Sequence, residues 1–199
     1  MKKITVIALL FVSSMAMAQK MKIVSGDFKN LKDISEFNLV FDYEGLTVDK
    51  FKTEEEFLKD KMGKRDDKEG KAEEFKKNWF EDRENRYEPK FIESFNKRFD
   101  NGEVKVGKGL NTAKYTINIK TIWIHPGYNV GISRSSSKLT TTLYIYETAN
   151  PSNNILTVDY EKAPGEGAAG YDFNSGYRIS EAYAKLAKTF ASDLKKKSK

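Results

Sequence analysis

The sequence predicts an α+β fold in which a single, mainly antiparallel sheet carries helices packed on one face. Three observations predict this fold class. Alternating apolar residues indicate strands near the N-terminus and in the centre, apolar residues at helical spacing occupy the stretch between them, and a long amphipathic segment closes the chain. After an N-terminal leader, residues 19–199 are long enough for one domain with a sizeable core.

Residues 1–18 have the pattern of a secretory signal peptide. Two lysines follow the first methionine, the stretch from Ile4 to Val12 is apolar, and Ala16 to Ala18 supplies small residues for signal peptidase. The apolar stretch is too short to span about 30 Å of hydrocarbon as an anchor. We therefore expect cleavage before Gln19 and a periplasmic or extracellular protein. Without a cysteine at that site, it is not lipid-anchored, and no later segment is apolar enough to span a membrane.

The composition excludes several kinds of chemistry. The chain has one histidine and no cysteine, which excludes disulfides, thiol nucleophiles and cysteine-based metal sites. A Ser-His-Asp triad is possible only if it uses His125. The net charge is +6, and loss of the two leader lysines lowers it to +4. A charge this small indicates no nucleic-acid partner, and we expect no cofactor and no metal.

The N-terminal half is predicted to hold two strands followed by helices. A short strand is expected from Met21 to Ser25, and the alternation from Phe37 to Tyr43 predicts a second, half-buried strand. Thr53 and Glu56 form a capping box that begins a helix. The almost entirely charged run from Gly63 to Lys71 indicates a break before helical spacing resumes.

A further helix is predicted around Pro89, because proline suits the first turn of a helix. Its apolar face is formed by phenylalanines at four-residue intervals, namely Phe91, Phe95 and Phe99. The last element is an amphipathic helix from about Ile179 to Lys195.

The centre of the chain is predicted to form three strands. They run from Tyr115 to Ile124, from Leu139 to Glu147 and from Ile155 to Tyr160, with a turn at Asn150 to Asn153. Because they are close in sequence, an antiparallel meander is expected. Simple alternation places Trp123 on the same face of the first strand as Tyr115, and Ile124 on the other.

Two glycine-bearing segments are the candidates for binding loops. Gly165 to Gly170 has the GxGxxG spacing of a dinucleotide site, but no helix follows it directly and the acidic residue about 20 positions on is missing. A flexible glycine loop is favoured, with a ligand-binding loop as the alternative. His125 precedes the turn at Pro126 and Gly127, where a general base and a simple polar residue at a strand end are both possible. The serines of residues 133–137 lack a GxSxG elbow.

The sequence therefore offers weak candidates for ligand or partner binding and no catalytic, cofactor-binding or metal-ligating residue. The candidates are His125, Asn129, Arg134, Asp172 and Arg178. The two arginines suit recognition of a carboxylate or a phosphate. A single site requires that both loops lie at the same end of the domain.

Five segments of the chain resemble a group of secreted proteins from Bacteroidetes-type bacteria. They are Tyr115 to Thr121, Pro126 to Gly131, Glu147 to Pro151, Gly176 to Lys185 and Phe41 to Tyr43. The group has no assigned activity, so the resemblance transfers no catalytic residue. The order of elements is also similar, more loosely, to envelope-associated α+β domains of the TolB N-terminal and CsgG kind, and similarity of fold does not fix function.

Three functions are consistent with the sequence. The favoured one is a non-catalytic module of the cell envelope that binds an envelope protein or a small ligand. The alternative is a hydrolase that acts on polysaccharide or peptidoglycan through two carboxylates, one of them with a raised pKa. The third is a structural component of an envelope assembly, for which the sequence fixes no oligomeric state.

Overall fold

A computed structural model describes residues 19–66, 68–99, 101–165 and 174–199. Their strands are β1 (Lys20–Gly26), β2 (Glu36–Asp42), β3 (Thr47–Val48), β4 (Lys105–Gly107), β5 (Tyr115–His125), β6 (Tyr128–Asn129), β7 (Arg134–Ser135), β8 (Ser137–Glu147) and β9 (Asn150–Gly165). The α-helices are α1 (Glu54–Gly63), α2 (Lys71–Asp82), α3 (Glu88–Asn96) and α4 (Ser175–Lys197). A 3₁₀ turn (Phe28–Leu31) and a π-helical turn (Arg83–Tyr87) complete them. The predicted α+β class is confirmed.

The main sheet has seven strands, in the order β1-β9-β8-β5-β2-β4, with β3 also beside β5. β1, β9, β8 and β5 are antiparallel neighbours, so the predicted meander of the three long strands is confirmed. β2 pairs in parallel with both β5 and β4. Parallel neighbours need a long crossover, and α1 to α3 supply it between β2 and β5. β6 and β7 form a separate two-stranded ribbon.

The helices pack on the sheet and bury one face of it. Ile117 of β5 and Leu143 of β8 are fully buried, whereas their neighbours in the strands, Asn118 and Thr142, are only partly buried. Helix α4 contacts β8 and β9, and α3 packs against α4. The core therefore lies between this face of the sheet and the helices. Each fully buried aliphatic side chain there contributes about 1.5–3 kcal/mol to folding.

A β-bulge in β5 corrects the predicted orientation of its last residues. The register with β8 shifts between Thr121 and Trp123, which leaves the exposed Ile122 as an extra residue. Because one inserted residue reverses the alternation, Ile124 is buried in the core and Trp123 turns outward. His125 lies two residues after Trp123, so the bulge turns it outward as well.

The helix predicted to start at Pro89 is instead continuous with α2. The π-helical turn Arg83–Tyr87 joins α2 to α3, and the N–H of Glu88 donates to the carbonyl of Arg83. Pro89 has no N–H to donate and its ring would crowd the carbonyl four residues earlier. The wider π turn accommodates the proline within an uninterrupted helical run.

The predicted turn at residues 150–153 is wrong by two residues. The hairpin turns at Thr148 and Ala149, and Glu147 pairs with Asn150. Tyr146 pairs with Asn154, so the three residues between Asn150 and Asn154 lie opposite no partner. One of these three is a proline, which lacks the N–H that a regular ladder needs.

The ends of two helices follow from their capping residues. The hydroxyl of Thr53 accepts from the N–H of Glu56 at 3.1 Å, as the capping box predicts. Asn174 caps α4 by accepting from Tyr177 N–H at 3.2 Å, so this helix begins four residues before the predicted Ile179. Across the described ranges, no helix combines the length and apolar composition needed to cross a membrane.

Candidate functional site

A cleft of about 470 Å³ lies where the end of β5 meets α1, α2 and the start of α4. We call it the His125 cleft. Its lining residues are Asp49, Phe57, Lys61, Lys64, Arg65, Phe75, His125, Pro126, Gly127, Tyr128, Ser175 and Arg178. A cleft of this size suits a small ligand.

The structure brings two of the predicted site residues, His125 and Arg178, into this one cleft. Asn129 and Arg134 pair with each other in the β6–β7 ribbon, whose Tyr128 also lines the cleft. The loop after β5 and the start of α4 therefore lie at the same end of the domain. The fifth candidate, Asp172, and the GxGxxG stretch after Gly165 fall outside the described residues.

Arg178 is a positioning residue for the loop that follows β5. Its side chain is buried, its Nε donates to the carbonyl of Pro126 at 3.1 Å, and its Nη2 donates to that of Gly127 at 3.1 Å. A hydrogen bond from a charged donor is stronger than one from a neutral donor. Removing the arginine would leave both carbonyls without this partner, which is costly. The arginine thus holds the loop in place instead of presenting its charge freely to a ligand.

Gly127 is required by the geometry of the same loop. Its φ is +65°, and a Cβ at this position would lie 2.3 Å from the carbonyl oxygen of Ser135. The loop and the β6–β7 ribbon therefore touch through backbone atoms, an approach that only glycine permits. This contact fixes the ribbon beside His125.

Three cations at the end of α1 make the cleft basic. Lys61, Lys64 and Arg65 line it together with Arg178, whereas Asp49 is the only acidic residue in the described lining. Lys64 Nζ lies 2.8 Å from Asp60, and the resulting hydrogen bond lowers the pKa of that carboxyl. Arg65 donates to the carbonyl of Lys61 at 2.6 Å, which turns its side chain back along the helix.

Sequence reasoning missed Lys64 and Arg65 because they belong to the charged run from Gly63 to Lys71, which resembles a solvated helix break. It missed Lys61 because a lysine on a charged helix resembles part of a solvated face. The only sequence signal that could have indicated a site here is the pair of aromatic residues nearby, Phe57 and Phe75. Phe57 is buried and its ring lies 6.2 Å from that of Phe75, and the Arg65 guanidinium lies 4.3 Å from the Phe75 ring. Cation–π contact orients the arginine over an apolar wall. The cleft thus combines a basic rim with an aromatic wall.

His125 is held on both ring nitrogens. Its Nδ1 lies 3.0 Å from Oδ1 of Asp49, and its Nε2 lies 3.3 Å from Oγ of Ser135. The ring stacks on Trp123 at a centroid distance of 6.1 Å. The imidazole is therefore oriented by three neighbours.

A larger cleft of about 810 Å³ lies beside β2 and the π-helical turn. We call it the Tyr43 cleft. Its lining residues are Leu39, Val40, Phe41, Tyr43, Phe80, Glu81, Arg83, Glu84, Asn85, Glu88 and Lys108. Glu88 bonds Lys108 and accepts from the Tyr43 hydroxyl at 3.4 Å, and the Arg83 guanidinium stacks on the Tyr43 ring at 4.4 Å. These charges largely satisfy one another.

Tyr43, which lines this cleft, lies close to two buried tyrosines of the core, Tyr87 and Tyr183. Burial raises the pKa of Tyr43, Tyr87 and Tyr183 well above the ordinary value of 10.0. The rings of Tyr87 and Tyr183 stack at 5.3 Å, and the Tyr183 hydroxyl lies 2.7 Å from that of Thr121. The Tyr87 hydroxyl is buried without a hydrogen-bond partner among the described residues. These phenols stay protonated and serve the core.

Comparisons with known proteins show no family for this chain. No protein-family model matches this chain, and no curated protein does either. Among solved structures, the chain is similar to a dodecamer of a PelC variant from Paraburkholderia phytofirmans, with a TM-score of 0.38 and 10% sequence identity. The match covers 86% of this chain and 99% of that chain. Similarity at this level carries no conclusion about function, and the Bacteroidetes resemblance stays a prediction.

Proposed function

We propose that this chain is an exported, envelope-associated binding module whose His125 cleft takes a small anionic ligand with an apolar part. The observation that supports this most directly is the pairing of a basic rim with an aromatic wall in one cleft. Cations attract a carboxylate or phosphate group, and the aromatic side chains accept the apolar part of the same molecule. The export and envelope parts of the proposal rest on the leader-like residues 1–18.

A medium-chain carboxylate tests the binding proposal. Calorimetric titration of residues 19–199 with octanoate should show saturable binding, whereas octanol, which has the tail without the charge, should bind more weakly. Lys61→Gln with Lys64→Gln should weaken octanoate binding by about 30-fold, because each cation at contact distance contributes about 1 kcal/mol in water and about 1.4 kcal/mol is a tenfold change. Equal binding of octanol and octanoate would contradict the proposal.

A matched variant controls for net charge. Lys185→Gln with Lys196→Gln removes the same two charges from α4, in a different cleft. This variant should bind octanoate as the unmodified chain does. If both double variants weaken binding equally, the effect comes from overall charge and the His125 cleft is not the site.

The alternative function, a carboxylate-dependent hydrolase for polysaccharide or peptidoglycan, finds support in the Tyr43 cleft. Glu81, Glu84 and Glu88 line it, and a pair of carboxylates is what glycoside hydrolysis needs. Asp82 is the neighbouring carboxyl whose pKa burial raises, and it is not among the lining residues. Release of soluble fragments from peptidoglycan, lost in Glu81→Gln and Glu84→Gln variants, would favour this function over simple binding.

A further inference from the structure

Three side chains from separate segments meet in a hydrogen-bonded row beside the His125 cleft. Asp49 and His125 line the cleft, and Ser135 lies next to it through its contact with His125. Asp49 follows β3, His125 ends β5 and Ser135 ends β7. The carboxylate lies 3.0 Å from one ring nitrogen, and the serine hydroxyl lies 3.3 Å from the other. We call this arrangement the Asp49 relay. It has the order of contacts that activates a serine nucleophile, acid to imidazole to hydroxyl.

The proton positions in the relay follow from the chemistry of the acid. An ionised carboxylate only accepts hydrogen bonds, so the Nδ1–H of His125 donates to Asp49. The neutral imidazole then has its lone pair on Nε2, which accepts from the hydroxyl of Ser135. The competing acceptor for that hydroxyl, the carbonyl of Ser136, is 3.5 Å away and therefore weaker.

The backbone holds Asp49 in a conformation that serves the contact with His125. Its φ is +55°, in the left-handed region that costs most residues energy, although aspartate tolerates it better than others. Its N–H donates to the carbonyl of Ile124 at 2.8 Å, and its carbonyl accepts from Trp123 Nε1 at 2.9 Å. The two residues before His125 therefore hold the backbone N–H and the backbone carbonyl of Asp49, which places its carboxylate beside the imidazole.

The β5 bulge and Gly127 position the other two members. The bulge at Ile122 turns His125 and Trp123 together away from the core. Outside the core, the indole of Trp123 stacks on the imidazole. The backbone contact of Gly127 with the Ser135 carbonyl holds the β7 end of the ribbon. The β5 bulge and the left-handed Gly127 are both departures from regular structure, and both position members of the Asp49 relay.

We propose that the Asp49 relay makes Ser135 a nucleophile that hydrolyses esters of anionic, partly apolar acids bound in the His125 cleft. The choice of substrate class rests on the proposed binding function. The Ser135 oxygen adds to the ester carbonyl carbon while its proton passes to Nε2 of His125. The bond to the alcohol oxygen then breaks, and the alcohol leaves with that proton.

Water completes the reaction. It adds to the acyl carbon of the Ser135 ester and gives a proton to Nε2, and the acid leaves as Ser135 regains its hydrogen. One ester and one water thus become one acid and one alcohol, with no other reactant.

Two matched esters test the proposal. The 4-nitrophenyl half ester of glutaric acid carries a carboxylate, whereas 4-nitrophenyl valerate has the same chain length without the charge. Residues 19–199 should hydrolyse the half ester above the buffer rate and faster than the valerate. Ser135→Ala should lower that rate by at least about 100-fold, and the neighbouring Ser136→Ala should leave it unchanged. A fluorophosphonate should label Ser135, as located by peptide mass spectrometry.

Asp49 is a positioning residue, so its variant needs a second readout. Asp49→Asn should lower kcat and leave KM unchanged, because the amide can donate to Nδ1 and so favour the wrong tautomer of the imidazole. An unchanged kcat per folded molecule together with a lower folded fraction would assign Asp49 a structural role only and overturn its place in the relay.

The remaining outcomes separate this inference from the binding proposal. If octanoate binds and both esters are hydrolysed at the buffer rate, or if Ser135→Ala retains the activity, the relay is overturned and the binding proposal stands. If the neutral valerate reacts as fast as the half ester, the assigned substrate class is overturned. If Ser135-dependent hydrolysis occurs without octanoate binding, the binding proposal fails and the relay stands.

Discussion

Arg178 Nη2 donates to the carbonyl oxygen of Gly127 at 3.1 Å, across 51 residues of sequence. This bond ties the first turn of α4 to the loop that follows β5, and both segments line the His125 cleft. The shape of the cleft therefore depends on a buried arginine that the sequence offered as a ligand-binding residue.

Arg178→Ala should destabilise the protein because it leaves two loop carbonyls without their charged donor. We expect the free energy of unfolding to fall by about 2–4 kcal/mol, measured by urea denaturation. Arg134→Ala is the matched control, since Arg134 is exposed and its loss should change stability by less than about 0.5 kcal/mol. Equal effects of the two substitutions would argue against the positioning role of Arg178.

Gly127→Ala should be more damaging than the same change at another left-handed glycine. Both Gly127 and Gly131 have positive φ, but only at Gly127 would a Cβ collide with backbone, whereas nothing lies within 4 Å at Gly131. We expect a loss of about 1 kcal/mol at Gly131 and at least about twice that at Gly127. Thermal unfolding of the two variants measures the difference, and similar midpoints would contradict the close approach to Ser135.

Alkaline pH should destabilise the fold through its buried tyrosines. Burial raises the pKa of Tyr43, Tyr87, Tyr160 and Tyr183 in the folded state, whereas the unfolded chain titrates near 10.0. The unfolded state therefore binds fewer protons above pH 10, so stability is retained below that pH and falls as pH rises beyond it. The urea midpoint between pH 8 and about pH 11, followed with tyrosinate absorbance, measures this fall.

Tyr160→Phe provides the control for the alkaline effect. Its hydroxyl donates to Asp193 at 2.9 Å, so the variant loses a hydrogen bond at every pH. It also removes one of the shifted groups, and its stability should therefore depend less steeply on pH than that of the unmodified chain. A pH dependence equally steep in both proteins would show that Tyr160 does not contribute.

Alternation and helical spacing predicted most of the elements, but not the features that build the cleft. The β5 bulge is one extra residue, Ile122, and no local pattern distinguishes it from ordinary alternation. Asp49 reaches His125 across 76 residues, a contact that depends on the parallel pairing of β3 with β5. Lys64 and Arg65 belong to a run with the composition of a solvated turn, and only the fold places them beside the aromatic side chains of Phe57 and Phe75.

Nuclear magnetic resonance of the imidazole shows whether the His125 cleft is the ligand site. His125 is the only histidine, so its ring signals need no assignment. In ¹⁵N-labelled protein, octanoate should shift these signals saturably, with the dissociation constant that calorimetry gives, and the free protein should show the Nδ1–H tautomer. Saturable octanoate binding that leaves the His125 ring signals unchanged would contradict the account.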